Sequence, residues 1–175
     1  MTEEIKRKAR YLTLLLRHSP EKENLEMDVQ AYVSVDSVLL ALKLTQKELE
    51  WIVTNDNKSR FKFNYNKTKI RASQGHSLPW VKLQYASQIP PPILYHGTSW
   101  KNYEKILKAG GIDKMDRQYV HLSSDIHTAT NIGKRHGECK IINIDTFSMI
   151  KDGIQFYLSD NDVWLVDSID KKYFI

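Results

Sequence analysis

Hydrophobic positions along the chain change period, and the changes mark its elements. Ile5, Ala9, Leu12, Leu15 and Leu16 recur at helical spacing, with Pro20 setting a limit to that helix. A second helix is predicted over Val35–Leu42, entered at Ser34. A third opens with Thr45-x-x-Glu48, a capping box in which each side chain takes a first-turn backbone N–H, and turns Leu49, Ile52 and Val53 inward. The period then falls to two. Phe61, Phe63 and Tyr65 alternate with Arg60, Lys62 and Asn64. A polar turn at 66–68 leads into Lys69-Ile70-Arg71-Ala72, which completes a hairpin.

In the second half, Ile93-Leu94-Tyr95-His96 reads as a strand running into Gly97-Thr98. Ser99 caps a helix expected to face Trp100, Tyr103, Ile106 and Leu107 inward, closed by Gly110-Gly111. A strand over 119–123 enters a helix over 124–134, then a basic loop over 133–137 and a strand over 140–144. Further strands are expected at 155–158, 163–166 and 171–175. Many short strands with two or three helices predict a mixed α+β unit. No internal repeat is present.

The chain has 175 residues, enough for one ordinary domain or two small ones at roughly 100–200 residues per domain. Ile89-Pro90-Pro91-Pro92 is a stiff spacer, so the expectation is two lobes, 1–89 and 93–175. Lys and Arg number 26 against 21 Asp and Glu, a net charge of +5, and the excess falls wholly in residues 1–90. A pI near 9.1 suits a polyanionic partner. The longest apolar runs, Leu14-Leu15-Leu16 and 38–42, fall far short of the ~20 residues of a membrane span. The start, Met1-Thr2-Glu3-Glu4, is acidic and lacks the apolar stretch of a signal peptide. Cys139, the single cysteine, forms no internal disulfide and no thiolate zinc site. The expectation is a soluble cytoplasmic monomer with no membrane attachment.

Three short helices before a hairpin predict a winged-helix arrangement, a frequent nucleic-acid binder. A small α+β domain with a solvated basic face is the plainer alternative. Arg17-His18 closes the first helix, where cations complement the helix dipole, and capping alone accounts for them. Arg71-Ala72-Ser73-Gln74-Gly75-His76-Ser77 is richer: a guanidinium, hydroxyls, an amide and an imidazole leave one strand end. Phosphate needs such converging donors, with arginine supplying a planar fork. The alternative is a polar turn with Gly75 at positive φ. In the second half, Gly97 bares backbone that a ligand can approach. His96 and His121 are each followed two residues on by a hydroxyl, Thr98 and Ser123. Three histidines can hold zinc, but His18, His76, His96, His121, His127 and His136 show no tight metal spacing, so no metal is expected.

Taken together, these motifs resemble the RNA 2′-phosphotransferase family, the KptA-like enzymes that include the tRNA-splicing phosphotransferases. The matching pieces are Arg17-His18, the segment Ile70 to Ser77, Leu94-Tyr95-His96-Gly97-Thr98, Val120-His121-Leu122-Ser123, Gly133-Lys134-Arg135-His136-Gly137 and Val163-Trp164-Leu165. They occur in the family's order across nearly the whole chain. The resemblance implies an N-terminal winged-helix RNA lobe and a C-terminal ADP-ribosyltransferase-like lobe that binds NAD as co-substrate. It implies removal of an internal 2′-phosphate from a tRNA-like RNA through an ADP-ribosylated phosphate. Arg17, His18, Arg71 and Arg135 match its catalytic residues, with Ser73, Gln74 and His76 joining them on the phosphate. His96, Gly97, Thr98, His121, Ser123, Arg135, His136 and Val163 are the implied NAD contacts.

At the strand where many protein-modifying ADP-ribosyltransferases place a glutamate, this chain has Val163-Trp164-Leu165. Ala31-Tyr32 stands where the resembled family often has glycine-tryptophan, which reads as a packing change. Two other functions stay open: an ADP-ribosyltransferase acting on protein or on a nucleic-acid terminal phosphate, and a winged-helix regulator that senses NAD without consuming it.

Overall fold

The computed structural model describes residues 3–175. The chain divides between Gln84 and Tyr85 into two compact units. In the first, α1 (Glu3–Arg17) carries Glu3 and Glu4 in its first turn and Arg17 in its last, each sign matched to the helix dipole. Leu12, Leu15 and Leu16 are buried along one stripe. A 3-10 turn at Pro20–Glu23 follows, then β1 (Val33–Ser34), α2 (Val35–Leu42) and α3 (Gln46–Thr54). The capping box at Thr45 and Glu48 forms reciprocally. Strands β2 (Phe61–Phe63) and β3 (Lys69–Ala72) make the expected hairpin, with Arg71 opposite Lys62. β1 adds to the other edge of β3, giving the antiparallel order β1-β3-β2. Leu12, Leu16, Val38, Leu49, Ile52 and Ile70 meet in one core, so α1 and β3 are fixed to each other through it.

The second unit begins with β4 (Ile93–Ser99) and α4 (Trp100–Ala109), then β5 (Gly111–Asp113), β6 (Val120–Leu122) and α5 (Ile126–Gly133). A 3-10 turn over Lys134–His136 leads to β7 (Cys139–Asp145) and α6 (Thr146–Lys151). β8 (Tyr157–Leu158), β9 (Trp164–Val166) and β10 (Ser168–Asp170) complete the strands. β4 pairs with β7 antiparallel along seven residues, from Ile93 opposite Asp145 to Ser99 opposite Cys139. β6, β9 and β8 form an antiparallel sheet in that order, and β5 pairs with β10. Tyr95 and Ser123 exchange two backbone hydrogen bonds of 2.9 Å, which ties β4 to the end of β6. The chain is α+β throughout, and no helix among the described residues is long and apolar enough to cross a membrane.

The proline run belongs to the second unit. Gln88 N–H donates to the Phe156 carbonyl at 2.9 Å and Thr146 N–H to the Pro92 carbonyl at 3.1 Å. Several expectations are corrected. Trp100 and Leu107 are 44% and 40% exposed; only Tyr103 and Ile106 of that predicted face pack on the core. The last strand lies at Ser168–Asp170, three residues early, because Asp170 accepts the Lys172 N–H at 2.8 Å and starts a 3-10 turn over Lys171–Tyr173. β1, β5 and α6 were not expected at all.

Gly97 is required by packing, whatever ligand its backbone meets. A Cβ there would fall inside the van der Waals shell of the Ala129 carbonyl oxygen, so the bare backbone admits α5 against β4. Gly133 repeats the logic from the helix side, where a Cβ would meet Cys139 Sγ and the Thr98 backbone. Gly97→Ala is expected to cost at least about 3 kcal/mol of stability, because backbone must move to accommodate one methyl. Thermal or urea unfolding checks this, and a melting temperature equal to wild type would refute it.

Candidate active site

In the first unit the C-terminus of α1 and the loop after β3 form one constellation. Ser77 N–H donates to the Arg17 carbonyl at 3.0 Å, and Ser77 Oγ lies 2.9 Å from His18 Nδ1. Gly75, at φ 86, lets the loop fold over Arg17: a Cβ built there would sit 3.4 Å from the Arg17 Cζ. Next to it His76 is 1% exposed, and neither ring nitrogen has a hydrogen-bond partner among the described residues. Burial above all, then the Arg17 and Arg71 guanidiniums and His18, lower its pKa from 6.5 to about 4. It is therefore neutral at physiological pH.

Arg71 is buried on β3. Its Nη1 donates to the Gln30 carbonyl at 3.3 Å and its Cζ lies 4.9 Å from the centre of the Tyr32 ring. That contact is a cation–π interaction. Tyr32 is held in turn by the Asp28 carboxylate, which accepts both its N–H and that of Gln30. The substitution at Ala31-Tyr32 is thus more than packing, since the ring carries a candidate site arginine. Ala31 itself is buried at φ 63, a backbone region that favours glycine. Ser73 is 1% exposed and its hydroxyl donates to the Ser59 carbonyl at 2.7 Å, so it braces the loop. Gln74 follows, half-buried.

In the second unit, His96 on β4 and His121 on β6 are brought together by the Tyr95–Ser123 bridge. His96 Nδ1 lies 3.3 Å from the His121 carbonyl oxygen. Burial lowers the His96 pKa most; the hydrogen bond to the His121 carbonyl opposes it, and Arg117 and His136 add to the lowering. His136 and Arg135 are exposed on the 3-10 turn, which packs against β4. Thr98 and Ser123 are buried at their strand ends. Val163 closes a tight turn, its N–H donating to Ser159 Oγ at 3.0 Å and its carbonyl accepting the Ser159 N–H.

The structure thus groups Arg17, His18, Arg71, Gly75, His76 and Ser77 in one unit, and His96, His121, Ser123 and His136 in the other. The sequence reading missed Tyr32 as a support for Arg71, and Arg117, whose Nη1 lies 2.9 Å from His121 Nδ1. Residues 117 and 121 are four apart across a loop and a strand, where no periodic rule pairs them. Among the described residues no group of three or more His, Cys, Asp or Glu is placed to hold a metal ion.

Residues 3–168 match the model of the RNA 2′-phosphotransferase, Tpt1/KptA family. A probable RNA 2′-phosphotransferase of Fusobacterium nucleatum subsp. nucleatum is 46% identical over 170 residues, 94% of each chain. Those of Trichormus variabilis and Flavobacterium johnsoniae are 45% and 44% identical, each over 94% of this chain and 92% of theirs. The chain belongs to the RNA 2′-phosphotransferase family, a family of transferases.

The His76 geometry has a consequence for stability. Its folded pKa is depressed, to about 4 from 6.5, so below 6.5 the unfolded chain binds a proton that the folded protein does not. The contribution is complete above pH 6.5 and is lost as pH falls towards 4, on the order of 3 kcal/mol in all. Denaturant unfolding at neutral pH and near pH 4.5 is expected to show that loss, and His76→Gln to flatten it. A wild-type His76 ring titrating near 6.5 by NMR in the folded protein would overturn the assignment.

Proposed function

We propose that the chain is an NAD-dependent RNA 2′-phosphotransferase that removes an internal 2′-phosphate from a tRNA-like RNA. In this reading the first unit is a winged-helix RNA lobe and the second an ADP-ribosyltransferase-like NAD lobe, acting as a cytoplasmic monomer. The observation that carries it is the gathering of the Arg17 and Arg71 guanidiniums on the buried His76 imidazole, a concentration of positive charge suited to a phosphate dianion. Three helices around a three-stranded sheet, and the basic excess in residues 1–90, support the RNA lobe.

A 2′-phosphate oxygen attacks C1″ of the nicotinamide ribose. The C1″–N bond breaks, its electron pair leaves with nicotinamide, and an ADP-ribosylated RNA phosphate forms. The leaving group is already cationic, so no general acid is needed; positioning and charge stabilisation dominate. Arg17, Arg71 and Arg135 hold the phosphate, with Gln74 and His76 beside them and Ser73 bracing the loop. The ribose 2″-hydroxyl then attacks phosphorus, the bond to the RNA 2′-oxygen breaks, and ADP-ribose 1″,2″-cyclic phosphate is released. One proton passes from the attacking hydroxyl to the departing RNA oxygen. His18 suits that transfer, its Nδ1 engaged by Ser77 Oγ.

NAD is held by His96, Gly97, Thr98, His121, Ser123, Arg135, His136 and Val163. The His96 imidazole is kept neutral and so can accept a hydrogen bond. Apolar Val163 offers nothing to activate a protein acceptor, and the phosphate brings its own nucleophile. No step calls for a metal ion.

A short RNA bearing one internal 2′-phosphate is expected to release nicotinamide and the cyclic phosphate only when NAD is present. Arg71→Ala is expected to lower turnover by about a hundredfold or more with circular dichroism unchanged. Wild-type turnover in that variant would remove the phosphate site from Arg71. Label stably retained on RNA or protein would favour the ADP-ribosyltransferase reading, and NAD bound but never consumed the regulator.

A further inference from the structure

The loop that carries the phosphate-site residues continues past Ser77 into a tight turn, Leu78-Pro79-Trp80-Val81. The Val81 N–H closes it by donating to the Leu78 carbonyl at 3.2 Å, and Pro79 pre-sets the backbone at its second place. Leu78 and Val81 are buried, so the turn is pinned to the unit at both ends. It is also tied on each side to a segment that holds a site arginine. Before it, the Ser77 N–H donates to the Arg17 carbonyl at 3.0 Å. After it, the Lys82 N–H donates to the Val29 carbonyl at 2.7 Å, and Gln30 Nε2 donates to the Lys82 carbonyl at 2.9 Å. The carbonyl of that same Gln30 accepts Arg71 Nη1 at 3.3 Å. The turn that presents Trp80 is thus linked to both arginines.

Trp80 itself is 46% exposed. Among the described residues its ring makes no aromatic or cation–π contact and its indole N–H no hydrogen bond. We propose that Trp80 is a stacking platform for a base of the substrate RNA beside the phosphate site. The RNA part rests on the function proposed above. At most about 11 Å separates the Cα of Trp80 from that of Ser77, the rise of about three stacked bases. The base of the phosphorylated nucleotide, or of a near neighbour, is therefore in reach. Every base has a π face, so an indole takes one with little regard to sequence, and an unpaired strand leaves that face open. Lys82, exposed two residues on, adds a cation that suits the backbone of the same strand.

The test uses the full chain and short RNAs bearing one 2′-phosphate, with Kd and steady-state turnover measured in parallel. In one set of RNAs the base of the phosphorylated nucleotide, or of a neighbour on either side, is replaced by an abasic ribose. Trp80→Ala is expected to raise Kd and KM for the intact RNA about tenfold, the scale of one base stacked on one aromatic ring. kcat and KM for NAD are expected to change less than about twofold. Trp80→Phe is expected to recover most of the loss. Trp80→Leu, apolar but without a π face, is expected to lose affinity as Ala does, at an unchanged melting temperature. One abasic position is expected to cost wild type what Trp80→Ala costs, and to cost that variant nothing further. Unchanged RNA affinity in Trp80→Ala, or full recovery in Trp80→Leu, overturns the proposal. So do penalties that add in full at every abasic position, since Trp80 would then support the fold and no base. The expected pattern in Kd, with no turnover by wild type, overturns the proposed reaction while supporting the platform.

Discussion

The first unit depends on one seam, where the loop after β3 folds back onto the end of α1. The backbone bond from Ser77 to the Arg17 carbonyl fixes it, and Gly75 makes it close enough for the Arg17 guanidinium to lie against the chain. His76 is buried as a result, and its neutrality follows from that burial and from the cations around it. Two segments more than fifty residues apart thereby become one chemical environment. The buried hydrophobic cluster joining Leu12, Leu16 and Ile70 holds α1 and β3 in place beneath it.

The second unit solves a similar problem with strands. Alternation along β4 puts His96 and Thr98 on one face and Gly97 on the other. The Gly97 face receives α5, and the Tyr95–Ser123 bridge sets β6 alongside. Each histidine then inherits a fixed partner, a carbonyl in one case and a guanidinium in the other. Orientation is thus set by neighbouring backbone and by one loop residue.

Much of this was legible in the sequence because it is local. The Thr45–Glu48 box, the alternation through Phe61 and Phe63, and Gly110 closing α4 in the left-handed conformation each depend on residues within a few positions. Motif order pointed to the family, and the family match agrees with that. What was not legible is tertiary. β1 is two residues long and exists because β3 offers it an edge. Trp100 and Leu107 carry helical spacing, yet the core covers only the Tyr103–Ile106 side of that helix. Tyr32 under Arg71 and Arg117 beside His121 are contacts between loops and strands, which no period announces.

The close seating of α5 on β4 bears on how mutagenesis of this chain is interpreted. A glycine inside a ligand-lining motif invites the inference that the ligand demanded it. Here the crowding comes from the Ala129 carbonyl, on the helix side of the strand. Inactivity after replacing Gly97 therefore reports a displaced scaffold. Only side chains on the opposite face of that strand, His96 foremost, can report on recognition itself.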